Sequence, residues 1–368
     1  MRDKRLLMIP GPAEMAENVL SEMSRQMTEH YGREWTEFYN QTREMLQEIM
    51  GTKEEIFLTV GSGHAGLDCA IGSLVEEGDQ ILILSNGFFA ERIGEITEGY
   101  TSGVKYLRSE WGSPLDPKRV DNYLKEKAEN IKAVFMVHTE TSTGLRNPVA
   151  EIVKIVKKYG VLALVDGVCS VGITEFKMDK WGIDIAVTAS QKGLGAPSGL
   201  VMIVANDRAW KLIEERKHRP SSWYLNLLIM RDFAIKQKEF QPYGITMMVN
   251  NVRALNRALK NIKEEGAEER FKRHEKYAKY FREELKKLGY QILADPEFAS
   301  NAVTTIKNPA GYDSEKIVKI FEEEFNIRIS DCLGKLSGNY VRVGHMNLGA
   351  SRNSIIPVIE GFKELKNF

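Results

Sequence analysis

The sequence predicts an α/β chain in two parts: a large domain on a mostly parallel seven-stranded sheet and a smaller C-terminal α+β domain. Three observations carry this. Seven short apolar runs lie between residues 56 and 205, rich in Val, Ile, Leu and Ala, as suits strands buried on both faces of a sheet. Most are separated by stretches of helical periodicity, the alternation of parallel strands with crossover helices. Beyond residue 207 the pattern changes, first to long amphipathic helices and then to short strands alternating with helices. The predicted division is an N-terminal arm over 1–20, a large domain over 21–265 and a small domain over 266–368.

The totals narrow the function classes. With 368 residues the chain can bury a sizeable core. Lysine plus arginine (51) equals aspartate plus glutamate (51), so no strong field draws nucleic acid or a membrane surface, and small-molecule partners are expected. Cys69, Cys169 and Cys332 form no metal-ligand spacing, and His64, His138 and His345 are far apart, so no metal is expected. Few, scattered cysteines and a charged start without a leader's apolar stretch point to a reducing, cytoplasmic setting.

In chain order, Leu6 to Pro12 (LLMIPGP) cannot be helical and reads as an extended arm. Residues 14–50 carry helical periodicity, broken around 29–33. Ile56 to Val60 reads as a strand, followed by Gly61-Ser62-Gly63-His64-Ala65-Gly66 and a helical pattern. A strand, a glycine turn and a helix N-terminus together form a phosphate-binding unit, because glycines admit close backbone approach and the helix presents free N–H groups. The turn matches GxGxxG, and a dinucleotide reading then requires an acid at the end of the next strand. That strand, Ile81 to Leu84, ends in Ser85-Asn86-Gly87, so a nicotinamide cofactor is rejected and the phosphate reading retained.

Phe88 and Phe89 open a helix to about Tyr100, on the sheet edge where one ring could cover a planar ligand. A strand near Val104 to Leu107, a helix near Pro117 to Ala128 and a strand from Ile131 to Val137 follow. The last ends in the hydroxyl-rich run His138 to Gly144 (HTETSTG), and a helix from Pro148 to Tyr159 comes next. The run Val161 to Val165 then delivers Asp166, and Ile183 to Ala189 delivers Ser190-Gln191-Lys192, both where sheet ligands bind. Leu200 to Ala205 is the seventh strand. Long helices are expected over 246–265 and 268–287, after a turn at Phe240 to Gly244. The small domain has strands at Val303 to Ile306 and Tyr340 to Val343, and Arg342 lies between apolar neighbours in the second. A buried strand arginine calls for an anionic partner.

A phosphate turn, a planar aromatic, an Asp and a Lys at neighbouring strand ends, and an Arg from a second domain suggest one ligand, pyridoxal phosphate. Lysine bonds its aldehyde, the Asp pairs with its protonated ring nitrogen, and arginine holds a substrate carboxylate. The motifs GSGHAGLDCA, SNGFFAER, HTETSTGLRNP, LVDGVCSVG, GIDIAVTASQKGLGAPSG and YVRVGHMNLGA carry a resemblance that runs essentially end to end. The chain resembles the class V aminotransferases of pyridoxal-phosphate fold type I, most of all the alanine–glyoxylate and serine–pyruvate aminotransferases.

The resemblance implies that Lys192 carries the cofactor and Asp166 faces its ring nitrogen. It implies that Ser62, Gly63, His64 and Gln191 hold the phosphate, that Thr141 lies near the ring, and that Arg342 binds the substrate carboxylate. It implies a homodimer with the site at the subunit interface, the arm reaching across and the segment 240–246 completing the partner's phosphate site. Two positions depart from the family pattern. The stacking residue, commonly Trp, is Phe89, and the usual tyrosine of the partner segment falls on Phe240, leaving Tyr243 or Thr246 to restore a hydroxyl. No second arginine for a dicarboxylate is evident, so a small neutral amino donor such as alanine or serine is expected, with glyoxylate or pyruvate as acceptor. A 2-aminoethylphosphonate transaminase is an alternative, as is a lyase or a cysteine desulfurase using Cys332.

Overall fold

The computed structural model describes residues 5–365. Its central sheet contains β1 (Ile56–Gly61), β2 (Ile81–Ser85), β3 (Val104–Arg108), β4 (Ala133–Val137), β5 (Leu162–Asp166), β6 (Ile185–Ala189) and β7 (Gly199–Ala205), in the order β1-β7-β6-β5-β4-β2-β3. The five strands from β6 to β3 are parallel, and β7 runs antiparallel to both its neighbours, β1 and β6. Two reversals restore direction, so β1 ends on the same edge as β4, β5 and β6. That edge therefore collects Ser62, the loop after His138, Asp166 and Lys192.

The inner strands are wholly buried, which is why they read as continuous apolar runs, not alternating ones. One apolar core lies on each face of the sheet. The helices Arg33–Met50 and Val249–Glu265 cover one face, and Gly63–Leu74 and Phe88–Glu98 the other. Several helices begin on side-chain caps that the sequence supplies, such as Asp116 accepting from Lys118 N before Pro117.

Gly266, with φ +84°, joins the long helices Val249–Glu265 and Ala267–Lys287 where the boundary after residue 265 was expected. The C-terminal part has a three-stranded antiparallel sheet of β8 (Val303–Lys307), β9 (Ser330–Asp331) and β10 (Tyr340–Gly344), with β10 central. Arg342 on β10 is paired with Thr305 on one side and Ser330 on the other.

Over the described residues the arm is extended and lies along the chain's own small domain. Leu6–Leu7 pairs in parallel with Ile327–Arg328 of the same chain, and Met8 is fully buried in the C-terminal core. Gly344 N then donates to Met8 O (2.8 Å) and Ala13 N to Gln191 O (2.8 Å). The strands leave backbone groups on these edges that the arm satisfies. Among the described residues no helix is long and apolar enough to cross a membrane.

Candidate active site

Eight of the predicted residues line one cavity: Ser62, Gly63, His64, Phe89, Thr141, Asp166, Gln191 and Lys192. A second, wider cavity shares Phe89, Thr141 and Lys192 with the first and adds Arg342. The site is therefore two adjoining chambers, with Lys192 on the wall they share.

Each group arrives by simple local means. Asp166 is the last residue of β5, 6 % exposed, and its Oδ1 accepts from Val168 N at 2.8 Å. Burial pushes its carboxyl up to about 7, against one backbone donor and the Lys192 charge. Lys192 follows β6 and donates through Nζ to the carbonyl of Pro10. A side chain on Gly11 would collide with Lys192, its Cβ 2.3 Å from Nζ, so the glycine of the arm makes room for the amine.

The glycine turn leaves its helix open. Ser62 is the N-cap of Gly63–Leu74, in extended conformation, yet its side chain bonds none of the helix amides. The first two amides of that helix, those of Gly63 and His64, thus lie beside the cavity without a side-chain cap, and Ala65 N donates to Ser62 O. A Cβ on Gly63 would stand 2.8 Å from Val168 Cγ2, so the backbone here admits close approach and little else. His64 flanks Phe89, ring centroids 6.1 Å apart, and burial lowers its pKa toward the neutral form. Gln191 is 9 % exposed and its Oε1 is buried with no hydrogen-bond partner.

Arg342 is 7 % exposed, and its Nε and Nη2 donate to Asp331 O at 3.0 and 2.9 Å. It is in no ion pair among the described residues, so its charge is met there only by a backbone carbonyl. Tyr243 is not gathered here. It lines another cavity with Tyr39 and Arg43, accepts from Trp35 Nε1 and donates to His30 O, whereas Thr246 is exposed. Cys332 is also unsuited to attack. It is 3 % exposed, donates to Ser142 O at 3.0 Å, and burial pushes its thiol up to about 11.

Three residues escaped sequence reasoning. Glu140, buried in the hydroxyl run, accepts from the amides of Phe89 and Ala90. Arg328 lines the wider chamber together with Arg342, held in an ion pair by Glu322. Arg270, 3 % exposed, donates to Gly172 O and Gly193 O at 2.7 Å each and to Asn347 Oδ1 at 2.9 Å, binding the loops that follow Asp166 and Lys192 to the small domain. Of these only Glu140 left a signal, a lone acid among hydroxyls.

The residues present fit pyridoxal phosphate. The uncapped helix start suits a phosphate, and the buried Gln191 amide has bonding capacity left for a ligand. A carboxyl held near 7 becomes a firm carboxylate once a protonated ring nitrogen pairs with it.

Comparison with known proteins agrees. The family described as Aminotransferase class-V matches residues 10–357. An aminotransferase of Methanocaldococcus jannaschii is 38% identical over 94% of this chain and 88% of its own. The structure of an alanine–glyoxylate aminotransferase from Nostoc superposes with a TM-score of 0.94 at 28% identity, covering 100% of this chain and 96% of that one. A ureidoglycine–glyoxylate aminotransferase from Bacillus subtilis gives 0.92 at 30% identity, over 100% and 94%. With the fold, the paired chambers and a family match over nearly the whole chain, the protein belongs to the class V aminotransferases and, like them, depends on pyridoxal phosphate.

Proposed function

We propose that this transaminase moves the amino group of a small neutral amino acid, alanine or serine, to glyoxylate or pyruvate, as a homodimer in the cytoplasm. The observation that carries the reading is Arg342, a buried guanidinium in no ion pair among the described residues, on the same chamber as Lys192. A guanidinium so placed binds an α-carboxylate and fixes the Cα–H bond beside the amine. The second arginine of the chamber, Arg328, is engaged by Glu322, so its guanidinium is already balanced by a carboxylate of the chain. The relatives named as alanine–glyoxylate and ureidoglycine–glyoxylate aminotransferases support a neutral donor and glyoxylate as acceptor.

Bound pyridoxal phosphate supplies an electron sink and carries the amino group between the two half-reactions. Ser62, Gly63, His64 and Gln191 would hold its phosphate, Phe89 would cover the ring, Thr141 would lie at its edge and Asp166 would pair with its ring nitrogen. Lys192 Nζ would anchor it and, once released, take the proton from the donor's Cα and return one to the acceptor's Cα. Pro10 O is the acceptor that receives the free amine. Exposed Thr246 suits a contact to the partner's phosphate site better than Tyr243, whose hydroxyl is already engaged.

The test is the first half-reaction. Alanine, serine, ureidoglycine, aspartate and 2-aminoethylphosphonate would each be mixed with the holoenzyme and the conversion of cofactor absorbance to the pyridoxamine band followed. Alanine, serine or ureidoglycine should convert it. Conversion by aspartate or 2-aminoethylphosphonate alone would overturn the donor class, and borohydride labelling of any lysine but Lys192 would overturn the site.

A further inference from the structure

Glu140 has no part in the steps above, yet it is the most fully satisfied acid of the site. It is 0 % exposed. Oε2 accepts from Phe89 N and Ala90 N at 3.0 Å each, and Oε1 from Ser142 N at 3.0 Å and Ser142 Oγ at 2.6 Å. Burial pushes the carboxyl up, but four donors and the positive end of the Phe88–Glu98 helix favour the carboxylate. Ser142 Oγ in turn accepts from Phe88 N at 2.9 Å.

An ordinary cap would come from the residue before the helix. Here that residue is Gly87, whose Cβ would lie 2.2 Å from Glu140 Cγ, so the glycine makes room for an acid 51 positions from Phe89 along the chain. The three amides of Phe88, Phe89 and Ala90 all end on Glu140 and Ser142, and Thr141 stands between those two. Helix start and hydroxyl loop are thereby locked as one body, and the ring of Phe89 projects from it into both chambers.

We propose that Glu140 is a positioning residue that sets the ring of Phe89 against the cofactor by fastening the first amides of its helix to the Thr141 loop. The proposal rests on Phe89 covering the cofactor ring, and the experiment separates the two. Dissociation constants for pyridoxal phosphate and the visible circular-dichroism band of the bound cofactor would be measured for wild type, Phe89→Ala, Glu140→Gln and the double variant. Glu140→Gln turns an –NH2 toward backbone donors and should weaken cofactor binding about five- to tenfold and alter the band. Added to Phe89→Ala it should change binding by less than about twofold, since the residue it serves is gone.

Independent, multiplying effects, or wild-type behaviour in Glu140→Gln, overturn the proposal. Wild-type binding and band in Phe89→Ala overturn the stacking reading and the proposal with it. Should Glu140→Gln not fold, Ser142→Ala removes one donor and the Phe88 contact while keeping the carboxylate. It must then show a smaller loss of affinity that also vanishes in the Phe89→Ala background, and a loss that persists there overturns the proposal.

Discussion

Two helices begin beside the same cavity, and they begin in opposite ways. Gly63–Leu74 starts from Ser62, whose side chain caps nothing, and its first amides are left for a ligand. Phe88–Glu98 starts from Gly87, and its amides are closed by the carboxylate of Glu140 from another loop. Both offer the same partial positive charge. The difference teaches how one cavity with two anion-attracting ends is reduced to a single one: one end is filled from within the protein and the other is left open.

The sharpest break of this comparison is to put a methyl group at the closed start. Gly87→Ala drives a Cβ to 2.2 Å of Glu140 Cγ and 2.4 Å of its Cδ, and the carboxylate cannot yield without losing its donors. A loss of about 2–4 kcal/mol is expected in the cofactor-free protein, read by urea unfolding, and a larger one in the loaded protein, because displacing Glu140 also weakens cofactor binding. A loss confined to the loaded protein would show that this end also meets the ligand.

Asp166 lies between the extremes, buried like Glu140 but with one backbone donor against three amides and a hydroxyl. Its carboxyl is raised to about 7, above an unfolded value of about 3.9. The folded protein therefore keeps a proton that the unfolded chain has lost between those values. Stability of the cofactor-free protein falls as pH rises through that window and stays low above it. On the order of 2–4 kcal/mol is at stake, and Asp166→Asn should remove it, so that unfolding free energies at pH 5 and pH 8 draw together. An unchanged pH dependence in the variant would place the proton elsewhere.

The smallest effects belong to the open end. Ser62→Ala should leave the cofactor-free protein within about 0.5 kcal/mol of wild type, whereas loss of a working serine cap costs about 1. Its cofactor affinity should fall about three- to tenfold, measured by equilibrium dialysis. A destabilised cofactor-free protein with unaltered affinity would mean that the serine serves the helix and not the ligand.

Much of this was legible beforehand because the determinants are local. An apolar run ending in Asp166 and another ending in Ser190-Gln191-Lys192 announce two strand ends, and parallel neighbours put them on one edge. The glycine turn announced an open helix for the same reason. What stayed hidden depends on pairing across the chain. Nothing in GLVMIVA tells that β7 enters antiparallel between β6 and β1. Glu140 looked like one more polar loop residue, because its partners are backbone amides, which carry no side-chain signature. Arg328 was masked by Glu322, and Pro10 acts through a carbonyl that any residue possesses. The arm's course along its own small domain was hidden because an extended apolar segment shows that it pairs, not with what.

The stitch made by Asn347 also bears on the order in which the protein matures. Its Nδ2 donates to Glu14 O across 333 residues of chain, and its Oδ1 receives the arginine that grips the carbonyl next to Lys192. Contacts of such separation gain nothing until the intervening chain has closed, because the entropy of closure precedes the reward. The lysine loop and its arm are secured only when the two ends of the chain meet. One asparagine thus ties the lysine loop to both ends of the chain, and the order of that loop depends on contacts that exist only once those ends have met.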